Sequence, residues 1–241
     1  MPLEPDSPDD NPYQSTVWQT EGGSLLEMMI DTASWSDVDM EAVRTRFCIA
    51  ADMTCAHLGQ PAVSVGALLC DDQRMRQLNS QFRGKDSTTN VLSFPDEMPE
   101  DETPESPDMT PRLIGELALA HGRLVAEAED DGKSLDDHLT HLFVHGLAHL
   151  FGLDHETDAD AQAMEAAETA ILASLGIADP YGNMTDASGD TEPASGTDST
   201  GGADSTGGAD STGGTDSTGG TDSTGGTNIT GPSEGRKRAA F

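Results

Sequence analysis

Apolar positions in residues 1–183 recur at two spacings, every second residue and every three to four residues, which predict strands and helices respectively. Residues 61–70, "PAVSVGALLC", form a short apolar run that is typical of a buried strand. Weaker strand patterns cover 13–20, 90–94 and 112–120. Helical spacing covers five further segments, namely 36–58, 71–82, 120–132, 134–152 and 158–175. The elements follow no repeating strand–helix–strand order, so we predict one α+β domain in which a small mixed sheet packs against helices.

The helix predicted over 134–152 has the clearest boundaries. Ser134 and Asp137 fit the capping pattern that begins many helices, and Gly152 is a typical stop signal. The apolar stripe between them consists of Leu139, Leu142, Phe143 and Leu147. Four of the seven histidines of the chain fall beside that stripe, which makes this helix the first candidate for a functional site.

The end of the chain has a different composition from the rest. Five consecutive hexapeptides rich in Gly, Ser, Thr and Asp run from "TDSTGG" at Thr197 to Gly226. Such a segment has almost nothing apolar to bury and cannot offset the entropy lost on ordering. We therefore expect a disordered leader over 1–12, a folded domain over 13–183 and a disordered acidic tail over 184–241. A tether that ends in a basic cluster is the alternative role for that tail.

The charge of the chain argues against wholesale nucleic-acid binding. The chain has 44 acidic and 12 basic residues, of which 9 acidic and 3 basic residues lie in 184–241. Residues 1–183 therefore contain 35 acidic and 9 basic residues, a net charge of about -26. Four of those nine basic residues nevertheless lie within twelve positions, namely Arg74, Arg76, Arg83 and Lys85. A local positive strip of this kind can still steer a polyanion to one place on an acidic protein.

The remaining composition indicates a cytosolic protein. Cys48, Cys55 and Cys70 have no metal-type spacing and lie in apolar segments, so we expect reduced core thiols. The start, "MPLEPDSPDD", has neither the basic nor the apolar region of a signal peptide. No apolar run approaches the length that spans a membrane, so no membrane partner is expected.

Three histidines occur within the eleven residues "HGLAHLFGLDH". On a helix, His141 and His149 are about 12 Å apart along the axis, too far to share one ion. An adjacent pair can chelate, and only the pair His145 and His149 is followed by a turn, at Gly152, that can return a third ligand, His155. Two ligands from a helix and one from the next turn leave a fourth tetrahedral position open, as in catalytic sites.

The same spacing occurs in the metzincin metallopeptidases, so a peptidase is the first alternative. Those enzymes carry Glu directly after the first histidine as the general base. Here that position is Gly146. Peptide hydrolysis by that mechanism is therefore not expected.

Two motifs resemble those of a known family. "VHGLAHLFGLDH" (144–155) resembles the HGxLHLxGxDH signature of the YbeY family, bacterial endoribonucleases that mature ribosomal RNA. "LNSQFRGKDSTTNVLSFP" (78–95) resembles that family's LNxxYRxKDxPTNVLSFP stretch, and "AMEAAETAILASLGIADPY" (163–181) its last helix and the segment after it. The chain departs from the family at Ala148, where Leu is usual, at "GEL" in place of GD(I/L), and in a longer acidic stretch after the second motif.

The resemblance implies a zincin-like α+β domain that holds one divalent metal ion, expected to be Zn²⁺, on His145, His149 and His155. It implies a single-strand-specific, metal-dependent endoribonuclease that acts in late-stage ribosome quality control and in maturation of the 3′ end of small-subunit 16S ribosomal RNA. The implied partners are ribosomal RNA, the small ribosomal subunit, and a ribosome-associated GTPase among other maturation factors, without DNA. The open alternative is a ribosome-assembly factor that binds RNA and holds its metal structurally, with little catalysis.

The resemblance also implies that Arg83, in the turn "FRGKD", is essential. A guanidinium matches the phosphoryl oxygens of a transition state with two parallel hydrogen bonds, and a metal that lowers the pKa of water toward about 7 supplies the nucleophile. The alternative for Arg83 is a surface ion pair with Asp86. We expect Arg74, Arg76 and Lys85 to bind substrate phosphates. Asp154 is expected to orient His155 or His149, with a plain turn residue as its alternative.

Overall fold

The first two strands form an antiparallel pair in the computed structural model, which describes residues 12–96 and 111–182. Tyr13–Gln19 (β1) pairs with Leu25–Asp31 (β2). The pattern of apolar positions did not predict β2, because "LLEMMID" is apolar at nearly every position and shows no alternation. In the structure its even-numbered residues are buried against the helices, while Met29 packs on the other face of the sheet.

Three more strands complete a mixed sheet in the order β1-β2-β3-β5-β4. Val63–Cys70 (β3) runs parallel to β2, and Arg112–Ala120 (β5) runs parallel to β3. Val91–Pro95 (β4) pairs antiparallel with β5 and forms the edge. The helices are Met40–His57 (α1), Asp72–Arg83 (α2), His121–Asp131 (α3), Leu135–Leu150 (α4) and Asp158–Ser174 (α5). The predicted α+β class is thus confirmed.

Helix α1 begins four residues later than the pattern predicted. Its N-cap is Asp39, whose carboxylate accepts hydrogen bonds from the backbone N–H groups of Glu41 and Ala42. The preceding residues form a turn held by Asp31, which accepts from the hydroxyl of Ser34 at 2.6 Å. Local side-chain bonds of this kind compete with helix formation and fix the boundary.

The helices cover both faces of the sheet. Successive residues of β3 point to opposite faces, so Leu69 joins one buried cluster and Leu68 the other. Helices α1, α4 and α5 contribute to the larger cluster, in which the rings of Phe47 and Phe143 stack with their centroids 3.9 Å apart. Helix α2 covers the opposite face through Met75. Burial of these apolar side chains provides the main driving force for the fold.

Some segments of the chain lie outside the residues that the structure describes. The leader up to residue 11, the stretch 97–110 and the tail from 183 onward lie outside the described residues. Cys48, Cys55 and Cys70 are free thiols, of which Cys55 and Cys70 are buried and Cys48 is partly buried. Burial raises the pKa of Cys70 to about 12, so this thiol stays protonated at neutral pH. No described helix is both long and apolar enough to cross a membrane.

Candidate metal centre

Helix α4 has the ends that its sequence predicts. The hydroxyl of Ser134 accepts a hydrogen bond from the backbone N–H of Asp137 at 3.1 Å and thereby caps the first turn. After the last turn, Gly152 takes φ +88°, a conformation that side-chain-bearing residues rarely adopt. Its N–H donates to the carbonyl of His149 at 3.0 Å and so closes the turn. The chain reverses directly after the helix.

This reversal brings three histidines together. His145 and His149 lie one turn apart on α4, and His155 returns to them from the following turn. One ring nitrogen of each lies within 4.8 Å of the corresponding atom of the other two. Zn–N bonds of about 2.0–2.1 Å place the ligand atoms of a tetrahedral ion just over 3 Å apart. A small shift of the three side chains would therefore bring these nitrogens to the distances that one ion requires.

The hydrogen bonds of the rings leave the correct nitrogens available to a metal. His149 Nδ1 lies 3.0 Å from the carbonyl oxygen of Leu153, which only accepts, so this nitrogen carries the proton. His145 Nδ1 lies 2.9 Å from Oε1 of Glu168, and an ionised carboxylate also only accepts. In both rings Nε2 therefore keeps its lone pair. Rings held in this way are typical of metal ligands in proteins.

The charge state of His149 also suits a metal. Burial is the largest effect on His149 and lowers its pKa, and the neighbouring His145 lowers it further. A lowered pKa keeps the imidazole neutral, which is the form that binds metal. Three imidazole nitrogen donors fit a divalent ion of the zinc type, with room for a fourth ligand.

A buried glutamate on α5 lies directly behind these histidines. Glu168 has no solvent exposure. Its carboxylate faces His145 at 2.9 Å and His141 Nε2 at 3.0 Å, and it accepts from the hydroxyl of Tyr181 at 2.6 Å. Burial by itself raises the pKa of a carboxyl group, but the hydrogen bonds from His141 and His145 outweigh that effect and lower the pKa of Glu168 to about 2. Glu168 is therefore ionised at neutral pH.

Sequence reasoning missed Glu168, although a signal was present. Met164 is a core residue that is 1% exposed. Glu168 follows it by four residues, and Ile171 by seven, so a carboxylate stands on the buried stripe of α5. A charge at such a position requires partners. His141, one turn before His145 on α4, is one of those partners.

The peptidase alternative meets a steric obstacle at Gly146. A Cβ atom at this position would lie 2.8 Å from Cδ2 and 3.1 Å from Cδ1 of Leu117, which is fully buried on β5. Any side chain at position 146 would therefore require the buried Leu117 side chain to shift. The position that carries the general base in metzincins thus serves packing in this protein.

The predicted catalytic arginine lies at the end of α2, on the sheet face opposite α4. Arg83 is exposed, and within 12–96 and 111–182 its side chain forms no hydrogen bond or ion pair. The alternative pairing with Asp86 does not occur, because Asp86 binds Arg76 through two contacts of 2.6 and 2.8 Å. Lys85 is also exposed, while Arg74 is partly buried. No described contact joins these four residues to the three histidines.

Asp154 contacts the backbone of the third histidine. Its Oδ1 atom accepts from the N–H of His155 at 2.7 Å. The ring of His149 is oriented by the carbonyl of Leu153 instead. Among the described residues, Asp154 forms no hydrogen bond with a histidine ring. Its contact with the backbone of His155 instead fixes the turn that presents this histidine.

Comparison with known proteins places the chain in a family. The family described as Endoribonuclease YbeY matches residues 29–176. The protein named Endoribonuclease YbeY of Jannaschia sp. is 46% identical over 162 residues, covering 65% of this chain and 99% of its own. That of Dinoroseobacter shibae is 44% identical over 184 residues, covering 71% and 93%. The solution structure of TM1509 from Thermotoga maritima aligns at 23% identity and a TM-score of 0.39, over 58% of this chain and 87% of that one. The chain belongs to the YbeY family.

Proposed function

We propose that this protein is a metal-dependent endoribonuclease that cuts single-stranded RNA during the maturation of ribosomal RNA. The observation that carries this proposal is the meeting of His145, His149 and His155, whose ligand nitrogens lie within 4.8 Å of one another. It occurs in a chain of a family whose matched relatives are named endoribonucleases.

The site provides ligands for one divalent ion, and we propose Zn²⁺. Three neutral imidazoles hold such an ion and leave a fourth position open. When bound, the metal supplies a water of lowered pKa as the nucleophile near neutral pH. This source of nucleophile matters because Gly146 has no side chain and both carboxylate oxygens of Glu168 already accept hydrogen bonds. Neither position offers a free general base.

Arg83 is the residue that we assign to the phosphate. Its guanidinium is exposed and makes no described ion pair, so its charge and its planar pair of donors are available to a phosphoryl group. Negative charge develops on the phosphoryl oxygens in the transition state, and its stabilisation by fixed donors contributes strongly to the rate of such reactions. In this proposal, the bound RNA extends from the histidines to the end of α2, so that Arg83 contacts the phosphate that is cut.

The neighbouring basic residues would guide RNA toward Arg83. Arg74 and Lys85 neutralise phosphates in this proposal, while Arg76 must first exchange Asp86 for a phosphate. Because the rest of the domain is strongly acidic, RNA is repelled elsewhere. We propose the 3′ end of 16S ribosomal RNA as substrate, the small subunit and a ribosome-associated GTPase as partners, and the cytoplasm as the location.

A ribosome-assembly factor with a structural metal is the second candidate. The observation that favours it is Gly146, since the position of the general base in related metal hydrolases has no side chain here and packs against Leu117. Such a factor would bind the same RNA through the same basic residues without cutting it.

Cleavage assays with nuclease-free preparations separate the two candidates. Single-stranded RNA and a duplex of the same sequence are incubated with the unmodified protein, His145→Ala and Arg83→Ala, with folding verified by circular dichroism. We expect the unmodified protein to cut the single strand, and both variants to lose most of that cleavage. RNA binding by the unmodified protein without any cleavage would support the assembly factor and overturn the enzyme.

A further inference from the structure

A buried network joins the candidate metal centre to the segment that follows α5. At its centre, the carboxylate of Glu168 is wholly buried and accepts hydrogen bonds from three side chains. Oε1 faces His145, whereas Oε2 faces both His141 and the hydroxyl of Tyr181. Only His145 among these three partners belongs to the candidate ligand set. His141 also meets His145 in an edge-to-face ring contact with centroids 6.4 Å apart. Among the described residues, Tyr181 is linked to the set through the carboxylate and His141.

Tyr181 reaches this network because the chain folds back after α5. Gly176 takes φ +74°, and the N–H of Ile177 returns to the carbonyl of Leu172 at 3.0 Å. Asp179 then accepts from the backbone N–H of Tyr181 at 2.9 Å and from the hydroxyl of Thr169 at 3.2 Å. These bonds fix residues 176–182 along α5. The phenol of Tyr181 is thereby placed beside Glu168, thirteen residues earlier in the chain.

We propose that Glu168 is a positioning residue for the ligand His145, and that Tyr181 holds Glu168 in place. Residues 176–182, which we name the return segment, are then a functional part of the metal centre. This inference rests on the proposed metal site.

The energetic cost of burying a charge supports a role for Glu168 beyond packing. A carboxylate removed from water costs several kcal/mol unless donors surround it. Three donors meet that requirement here, and an apolar residue of similar size would fill the same space without any such cost. The charge gives His145 a fixed tautomer and a more basic Nε2, because the Nδ1 proton points at an anion. It also places one negative charge beside a site whose three ligands are neutral.

A second histidine of α4 contacts a glutamate of α3, away from the candidate ligands. His138 Nε2 lies 3.1 Å from Glu127 Oε2, and Glu127 also binds Asn90 at 3.0 Å and Arg123 at 2.7 Å. His138 is not a member of the candidate ligand set. Glu127→Gln is therefore a matched control, because it alters a similar contact between a carboxylate and an α4 histidine that is not a candidate ligand.

The test measures metal affinity and the electronic spectrum of a bound ion. Full-length protein, Glu168→Gln, Tyr181→Phe and Glu127→Gln are freed of metal, and Zn²⁺ affinity is measured by competition with a chromophoric chelator. Outer-shell partners of metal ligands typically contribute about 10- to 100-fold, so Glu168→Gln should bind Zn²⁺ at least about tenfold more weakly. Tyr181→Phe should lose less, but more than about twofold. Glu127→Gln should bind like the unmodified protein.

Cobalt separates positioning from simple structural support. The visible absorption of bound Co²⁺ depends on the geometry of its ligands, so Glu168→Gln and Tyr181→Phe should shift the bands while Glu127→Gln should not. A purely structural role would lower the melting temperature of the metal-free variants and leave the bands of the bound ion unchanged.

Three outcomes are distinguishable. Zn²⁺ affinities and Co²⁺ spectra of folded Glu168→Gln and Tyr181→Phe that equal those of the unmodified protein would overturn the positioning role while the metal site stands. An equal loss of affinity in Glu127→Gln would overturn it as well, because the effect would not be specific to His145. Failure of the unmodified protein to bind Zn²⁺ would reject the metal site itself, and with it this inference.

Discussion

A Cβ atom on Gly146 would lie 2.8 Å from Cδ2 of Leu117, a side chain with no solvent exposure. Helix α4 thus packs closely against the Leu117 side chain of β5 at the position next to the first candidate ligand. His145 and His149 both lie on this helix. The contact therefore helps to fix the distance of the two candidate ligands from the sheet.

The first prediction concerns that contact. Gly146→Glu should reduce the free energy of unfolding by about 3 kcal/mol or more, since it adds both a steric clash and a buried unpaired charge. Chemical denaturation of the variant measures the loss. Ala166→Glu, on the exposed side of α5, is the control and should stay close to the unmodified protein. A stable Gly146→Glu variant that hydrolyses peptides would show that packing does not exclude a general base at this position.

The second prediction concerns the ligands. The purified protein should hold about one divalent ion per chain, and replacement of His145, His149 or His155 by Ala should each remove most of it. His138→Ala, on the same helix, and the exposed His57→Ala should retain the ion. Elemental analysis of the purified variants provides the measurement. Equal metal content in all five variants would refute the ligand assignment.

The third prediction concerns Arg83. Arg83→Lys should lose much of the cleavage rate although it keeps the positive charge, because an ammonium group cannot reproduce the planar two-pronged contact. RNA affinity should fall far less, since the neighbouring basic residues still neutralise phosphates. Single-turnover cleavage and RNA-binding titrations measure the two effects separately. An unchanged single-turnover rate in Arg83→Lys would assign Arg83 to anchoring.

The matched comparison for Arg83 is Arg76, which the structure holds in an ion pair with Asp86. Arg76→Lys should leave the single-turnover rate nearly unchanged, since this guanidinium is already occupied. Removal of both Arg74 and Arg76 should weaken RNA binding with a smaller effect on the chemical step. The reverse ranking of rate effects, with Arg76 above Arg83, would exchange the roles of the two arginines.

The fourth prediction concerns the C-terminal tail. Truncation after Asn183 should leave the melting temperature and the metal content unchanged, because the repeats offer almost nothing apolar to bury. Truncation after Ile177 removes Tyr181 and should weaken metal binding. Thermal melts and metal analysis of the two truncations provide the comparison. A clear fall in melting temperature for the chain that ends at Asn183 would show that the tail stabilises the domain.

The parts of the fold that the sequence predicted are those with strong local signals. Helix α4 has a side-chain cap at Ser134, a glycine stop and a regular apolar stripe, so both of its ends could be placed. Strand β2 could not, because Leu25 and Met29 are apolar although they are only partly buried, and this removes the alternation of residue types on which the prediction depends. The three histidines were predictable because two share a helix and the third follows one turn, so their proximity needs only local geometry.

The contacts around those ligands could not be predicted in the same way. Glu168 and His145 are 23 residues apart and meet only because α5 packs against α4. The pairing of Asp86 with Arg76 in place of Arg83 depends on the course of the turn after α2. Long-range side-chain geometry of this kind follows from the packing of whole elements, which no short stretch of sequence specifies.

A metal titration of cleavage tests most directly whether the three histidines hold a catalytic ion. Metal-free protein is prepared with a chelator, the chelator is removed, and the rate of single-stranded RNA cleavage is followed as Zn²⁺ or Mn²⁺ is added. We expect no cleavage without metal, a rate that rises to a break at about one equivalent, and no recovery in His145→Ala. Cleavage by the metal-free protein at the full rate would contradict a catalytic role for the ion.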